Sequence, residues 1–299
     1  LALIVGCTIG FLSLAGLAFA LVSPELVFYG DGARAGAFRG VFGEKNAAAR
    51  LNALAIILLL PAMRQRHRWA LLAGCCALLA IALARSATGL VLACAGIASY
   101  WYFLTLIRLR LNRSRSTLIT STLVYLLICL TLYANYHLFL DLLGRDSSLT
   151  DRTQIWALLT PSIHEELLRG YGFGAYWASS AADFFLRRWG YIGNAHSGYL
   201  ETLLNGGLIH LVALILLFAA ALHKHFHALQ QRGAVSQHAC ALIIIGMFIL
   251  ANYVAYVVPN HRSGEFLVFC MLALTLRPTG ARLAARSSLY RSGTYWRPS

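Results

Sequence analysis

Three residues at the edges of apolar stretches carry groups suited to anion or acid–base chemistry: Arg85, Arg152 and His196. Arg85 lies in Ala-Arg-Ser-Ala-Thr-Gly, with almost no linker between two apolar segments, so it must sit near a lipid headgroup plane. There a guanidinium either snorkels to the interface or grips a membrane-embedded phosphate through two parallel N–H donors. Arg152, in Asp-Arg-Thr-Gln-Ile-Trp, opens an amphipathic pattern through Ile155, Trp156, Leu158, Leu159 and Ile163. It is placed either to pair with Asp146 or Asp151 or to meet an anion. His196, in Asn-Ala-His-Ser-Gly-Tyr-Leu-Glu, begins a later apolar stretch. At about 100° per residue, His196, Tyr199, Leu200, Leu203 and Gly207 share one helix face, while Glu201 and Asn205 share another. A neutral imidazole there either caps the helix or accepts a proton from a hydroxyl. Glu201 reads as a carboxylate one turn into the membrane, costly unless paired or hydrated, and serves structure or site electrostatics.

Other patterns carry less. Gly-Tyr-Gly-Phe-Gly at 170–174 lacks the Lys-Ser/Thr and strand context of a phosphate cradle, so its glycines are expected to make a turn with positive φ. Glu165 and Glu166 are adjacent and diverge on a helix, unlike a facing glycosidase pair. His223, His225 and His227 flank Lys224 and read as a basic membrane-surface stretch rather than a metal site. Asp31 and Glu44 are not spaced as a coordination set, and no His-Glu-x-x-His, Gly-x-Ser-x-Gly or Walker sequence occurs.

The elements that must position these residues are membrane helices. Of 299 residues, 59% are hydrophobic and only 12% charged, about half the charge of a soluble domain. The net charge of +14 resides in four short segments without acids: Arg64 to Arg68, Arg108 to Arg115, Lys224 to Arg232 and Arg277 to Arg297. Cations confined to segments flanking apolar stretches mark the cytoplasmic side and exclude a phosphate-tracking nucleic-acid surface. All 7 cysteines fall in apolar runs and read as small buried groups.

Eight stretches approach the about 20 apolar residues needed for a crossing: 1–22, 47–63, 69–83, 87–107, 117–140, 197–222, 239–258 and 266–276. Leu1 stands in the middle of an apolar run, as expected of a chain whose first helices lie upstream. The expected fold is an all-α polytopic membrane protein with about eight transmembrane helices and both ends cytoplasmic. It divides into N-terminal helices (1–140), one long periplasmic segment between the fifth and sixth helices (141–196), and C-terminal helices with a basic tail (197–299). The 141–196 segment is nearly neutral and rich in Trp, Tyr and Phe, which predicts a cap on the outer membrane surface rather than disorder.

Asp-Arg-Thr-Gln-Ile-Trp, then Gly-Tyr-Gly-Phe-Gly-Ala-Tyr-Trp, then Ala-His-Ser-Gly-Tyr-Leu-Glu resembles the signature region of the O-antigen ligase and polymerase family of bacterial envelope glycosyltransferases. Ligases of that family carry His, then Asn, Ser or Gln, then nine residues, then Gly-x-x-Gly. Here His196 and Ser197 are followed by residues 198–206 and Gly207, and His210 stands at the second glycine. Arg39-Gly-Val-Phe-Gly-Glu-Lys-Asn46 and the Arg85 turn look like the exopolysaccharide-polymerising members. The resemblance spans about residues 39–210.

The resemblance implies a multi-pass enzyme of the inner membrane, acting on the periplasmic face without metal, nucleotide sugar or other cofactor. Its donor would be a glycan on undecaprenyl diphosphate, and its acceptor lipid A core or another lipid-linked glycan, with membrane lipids as surroundings. Arg85 and Arg152 would stabilise the diphosphate leaving group, His196 would take or orient the acceptor proton, and Arg39 and Lys45 would contact phosphate or glycan. The rival reading is a transporter or flippase of lipid-linked oligosaccharide. That class should place ionisable groups at the midplane of several helices and show paired halves, whereas Glu201 is the main intramembrane acid and a single half carries the long loop.

Overall fold

A computed structural model describes residues 1–134, 150–189, 193–230 and 235–275. Its helices are α1 (Ala2–Phe19), α2 (Pro24–Val27), α3 (Lys45–Arg64), α4 (Arg68–Ala84), α5 (Ala87–Arg108), α6 (Arg115–Ala134), α7 (Thr150–Glu165), α8 (Asp183–Trp189), α9 (Gly198–Gln230), α10 (Val235–Val254) and α11 (Gly264–Thr275). Short 3-10 turns join several of them, and no strand occurs among the described residues.

Every predicted apolar stretch falls at least in part on a helix, but among the described residues five helices are long and apolar enough to cross a membrane by length and composition. They are α1, α3, α5, α9 and most of α10, while α4 and α11 are apolar but shorter. The far end of the stretch 117–140 lies outside the described residues.

Small residues let these helices approach closely, as apolar helices in lipid require. A Cβ added to Gly89 of α5 would overlap Ala49 of α3, and one at Gly10 of α1 would press on Ala73 of α4. Ser13 of α1 donates to Asn52 of α3 at 2.8 Å, a buried polar contact between apolar faces. The helix starts are set by local acceptors. Glu44 accepts the Ala47 N–H at 3.1 Å to open α3, and Ser86 accepts the Gly89 N–H at 3.3 Å to open α5.

The described part of the 141–196 segment has a core of its own. Ile155, Leu159 and Ile163 are buried at a four-residue spacing on α7 and pack with Tyr176, Phe185 and Leu204. Leu158, expected on that stripe, is exposed instead. The glycine turn forms as expected, with φ of 63°, 100° and 67° at Gly170, Gly172 and Gly174.

Helix α9 holds the main departure from a simple span. Its 33 residues would measure about 50 Å, well beyond a hydrocarbon core of about 30 Å. The helix breaks at Gly206 (φ −152°) and Gly207 (φ 60°). The break frees the Leu204 and Asn205 carbonyls, which accept from Tyr171 N–H at 2.7 Å and Gly172 N–H at 3.1 Å. Beyond the break, the Leu208 N–H donates to the Leu167 carbonyl at 2.8 Å. A Cβ at Gly207 would collide with the Leu168 backbone, so glycine is required there both for φ and for space.

Candidate active site

His196 is not on the face that helical spacing assigned to it. Helix α9 begins at Gly198, and His196 precedes it in the left-handed region with φ 50°. The capping role falls to Ser197, whose Oγ accepts the Leu200 N–H. The backbone turn, not the helix, therefore aims the imidazole. That turn is heavily hydrogen-bonded: the His196 N–H donates to Asn194 Oδ1 at 2.9 Å, the Ala195 N–H to Glu201 Oε2 at 2.8 Å, and the Trp156 indole to the Ala195 carbonyl at 2.9 Å.

Arg152 stands at the start of α7, half-buried like His196. The two groups sense each other. The imidazole pKa is held below its ordinary value first by burial, then by the Arg152 charge and Arg34, with Glu44 opposing. The guanidinium pKa is lowered first by burial; Glu44 opposes this, and Arg50 and Arg34 add to it. His196 before α9 thus lies within electrostatic range of Arg152 from α7 and of Arg34 and Glu44 from the loop between α2 and α3, and Arg152 lies within range of that loop and of Arg50 from α3. The result is a neutral imidazole beside a desolvated guanidinium. Among the described residues neither group makes a side-chain hydrogen bond, so both are open to a ligand.

The loop between α2 and α3 carries Arg34 and Glu44. Arg39 folds back on the loop, its Nε and Nη2 donating to the Leu26 and Glu25 carbonyls at 3.2 and 3.0 Å and its guanidinium lying 5.2 Å from the Tyr29 ring centre. The Phe38 N–H donates to the Leu83 carbonyl at 2.9 Å, docking the loop on the end of α4. Arg85 ends α4 in the left-handed region, with φ 48°, and donates to the Ala35 carbonyl at 3.3 Å, next to Arg34. Ser86 donates to Asn46 at 2.9 Å, and Asn46 donates to Glu44 at 2.7 Å. The Arg39–Asn46 motif and the Arg85 turn are therefore one hydrogen-bonded unit, with Lys45 half-buried inside it.

The structure thus puts Arg152 within electrostatic reach of His196 and Arg85 against the loop that carries Arg34. Arg39 is engaged within the loop. Asp146 lies outside the described residues. Sequence reasoning missed Arg34 and Arg50 and considered Glu44 solely as a metal ligand. Arg50 pairs with Glu265 at 3.1 Å, with side chains 12% and 3% exposed. An Arg inside the apolar stretch 47–63 was the signal that could have found it; Arg34 had none. Among the described residues no group of three or more His, Cys, Asp or Glu is placed to hold a metal ion.

A family model described as O-antigen ligase matches residues 69–215, a stretch containing Arg85, Arg152 and His196. The chain belongs to the O-antigen ligase family. Comparison with curated proteins gives no match. Family membership makes this a multi-pass membrane enzyme that transfers glycan, of ligase or polymerase type, with lipid-linked glycan and acceptor substrates in the general sense. In this family member, Gly206 makes room for His210 at the motif's second glycine position, because a Cβ on Gly206 would press on the imidazole.

Proposed function

We propose that the chain transfers or polymerises glycan from an undecaprenyl-diphosphate-linked donor on the periplasmic face of the bacterial inner membrane, without a metal ion. The single observation that carries the chemistry is the neutral imidazole of His196 beside the desolvated Arg152 guanidinium. In this reading all eight apolar helices cross the membrane and the basic segments face the cytoplasm.

The acceptor hydroxyl attacks the anomeric carbon of the donor sugar. Its O–H bond breaks as the new C–O bond forms, and His196 takes the proton. The bond from the anomeric carbon to the diphosphate breaks with its electron pair leaving on the phosphate oxygen. Such a leaving group needs charge stabilisation more than a proton. Arg34, Arg50 and Arg152 outnumber Glu44 and Glu265, so the site stays positive, and burial strengthens the Arg152 guanidinium's hold on the departing oxygens. Arg85 adds its charge from the adjoining turn. Arg39 and Lys45 serve phosphate or glycan contact through the loop they build. The acceptor is lipid A core in a ligase and another lipid-linked glycan in a polymerase.

The test incubates the purified full-length protein with undecaprenyl-diphosphate-linked glycan and EDTA, with or without lipid A core. Longer glycan without added acceptor means a polymerase, and transfer solely to lipid A core means a ligase. Donor crossing a proteoliposome bilayer with no new glycosidic bond would overturn the enzyme reading in favour of a flippase.

A further inference from the structure

The residue before His196 is held with unusual completeness, by groups from two helices. The Ala195 carbonyl belongs to the peptide that joins Ala195 to His196, and it accepts the Trp156 indole N–H at 2.9 Å. The preceding peptide presents the Ala195 N–H to Glu201 Oε2 at 2.8 Å. Ala195 is itself fully buried. Two consecutive peptides are thus fixed, one from α7 and one from α9, immediately before a histidine whose φ of 50° a non-glycine residue rarely adopts.

The origin of each grip matters. Trp156 lies four residues after Arg152 on the same helix, so the two share a face and move as one. Its indole also meets Tyr253 of α10 edge-on, with ring centres 5.4 Å apart. Glu201 is 3% exposed and takes the Trp177 indole N–H at 3.1 Å on both oxygens, which leaves it aimed at the turn. The indole that fixes the histidine is therefore carried by the helix that carries the arginine, and the carboxylate by the helix that follows the histidine.

We propose that Trp156 and Glu201 are positioning residues that hold the His196 imidazole beside Arg152 by gripping the two peptides on either side of Ala195. The proposal rests on the reading of His196 as the proton acceptor. Neither residue touches substrate. Their effect passes through the backbone of one turn, which sets the distance between the base and the leaving-group site. A shift of about 1 Å between such groups costs on the order of a hundredfold in rate.

The test compares Trp156→Phe, which removes the indole N–H, and Glu201→Gln, which keeps the shape but replaces one acceptor oxygen with a donor, with wild type and His196→Ala. All are full-length and assayed for glycan transfer from the undecaprenyl-diphosphate-linked donor over pH 5 to 8, normalised to folded protein. Trp156→Phe and Glu201→Gln should each lower kcat on the order of ten- to a hundredfold with the donor KM unchanged. The acid limb of Trp156→Phe, which changes no charge, should move to higher pH. The folded imidazole is kept neutral mainly by burial and by Arg152, with Arg34 and Glu44 of the first loop and Glu201 of α9 as the other charged groups around it. Release from that setting returns it toward its ordinary value. A role confined to stability would lower the folded fraction and leave both kcat per folded molecule and the acid limb in place, which would overturn the proposal. If His196→Ala keeps full activity, the reading of the base falls. If His196→Ala is inactive while Trp156→Phe and Glu201→Gln match wild type, the positioning role alone falls.

Discussion

The two ends of α9 both carry histidine, and they use it in opposite ways. At the N-terminal end His196 stands before the helix, half-buried, with its backbone held and its imidazole without a hydrogen bond among the described residues. At the other end His225 is fully buried. Its Nδ1 lies 3.0 Å from Nδ1 of His238 on α10, its Nε2 lies 3.2 Å from the Leu272 carbonyl of α11, and the neighbouring Lys224 donates to the Ala273 carbonyl at 2.8 Å. His223 and His227 are exposed, but His225, read as part of the same basic membrane-surface stretch, is buried and ties three helices together. A ring with both nitrogens committed is structure, and a ring fixed by its backbone with nitrogens open is available for chemistry.

That contrast gives its largest test in mutation. Arg152→Ala should lower glycan transfer by about 10²- to 10³-fold, the loss expected for one anion-stabilising group. His225→Ala should leave transfer per folded molecule within about twofold while lowering stability by about 1–3 kcal/mol, because His238 and the Leu272 carbonyl lose a buried partner. Parallel activity and thermal-unfolding measurements in detergent check both. Equal activity losses would erase the distinction.

The helix break that separates the two ends comes next. Gly207→Ala forces a side chain into a left-handed position against the Leu168 backbone and should cost at least about 2 kcal/mol. Gly172→Ala, which has room at 3.6 Å from its nearest neighbour but also a positive φ, should cost about 1 kcal/mol. Protease susceptibility of the 150–189 segment would report the loss of docking in the first variant.

Ser86→Ala removes both the α5 cap and the link to Asn46, and should cost about 1 kcal/mol. Its effect on transfer should exceed its effect on stability if the Arg85 turn and the Glu44 loop act as one unit. The smallest effect concerns pH. Transfer should hold constant as pH falls through 6.5 and drop below it, because the His196 pKa is depressed. Arg34→Gln takes away a nearby positive charge, so the imidazole pKa rises and the acid limb should move to higher pH.

Much of this was legible in the sequence, because the signals were local. Apolar runs gave the helices, the four-residue spacing of Ile155, Leu159 and Ile163 gave the buried stripe of α7, and three alternating glycines gave a positive-φ turn. The residue order around Arg85, Arg152 and His196 was enough for the family. What periodicity could not supply were contacts between residues far apart in the chain. Arg50 meets Glu265 across a separation of 215 positions, and His225 meets His238 through a fold of two helices. Helical spacing misplaced His196 because the helix starts two residues later and the turn before it is left-handed. Glu201 and Asn205 did share a face, as read, but that face holds the cap: Glu201 takes Trp177 and the Ala195 peptide, and Asn205 takes the Gly174 N–H at 2.8 Å.

The most direct measurement is single-turnover transfer from undecaprenyl-diphosphate-linked glycan at pH 7 with EDTA, for wild type, His196→Ala and His225→Ala. A neutral His196 acting as proton acceptor predicts a loss of about 10²- to 10⁴-fold for His196→Ala and near wild-type turnover for folded His225→Ala. Wild-type turnover by His196→Ala would contradict the assignment of the N-terminal end of α9 as the seat of the chemistry.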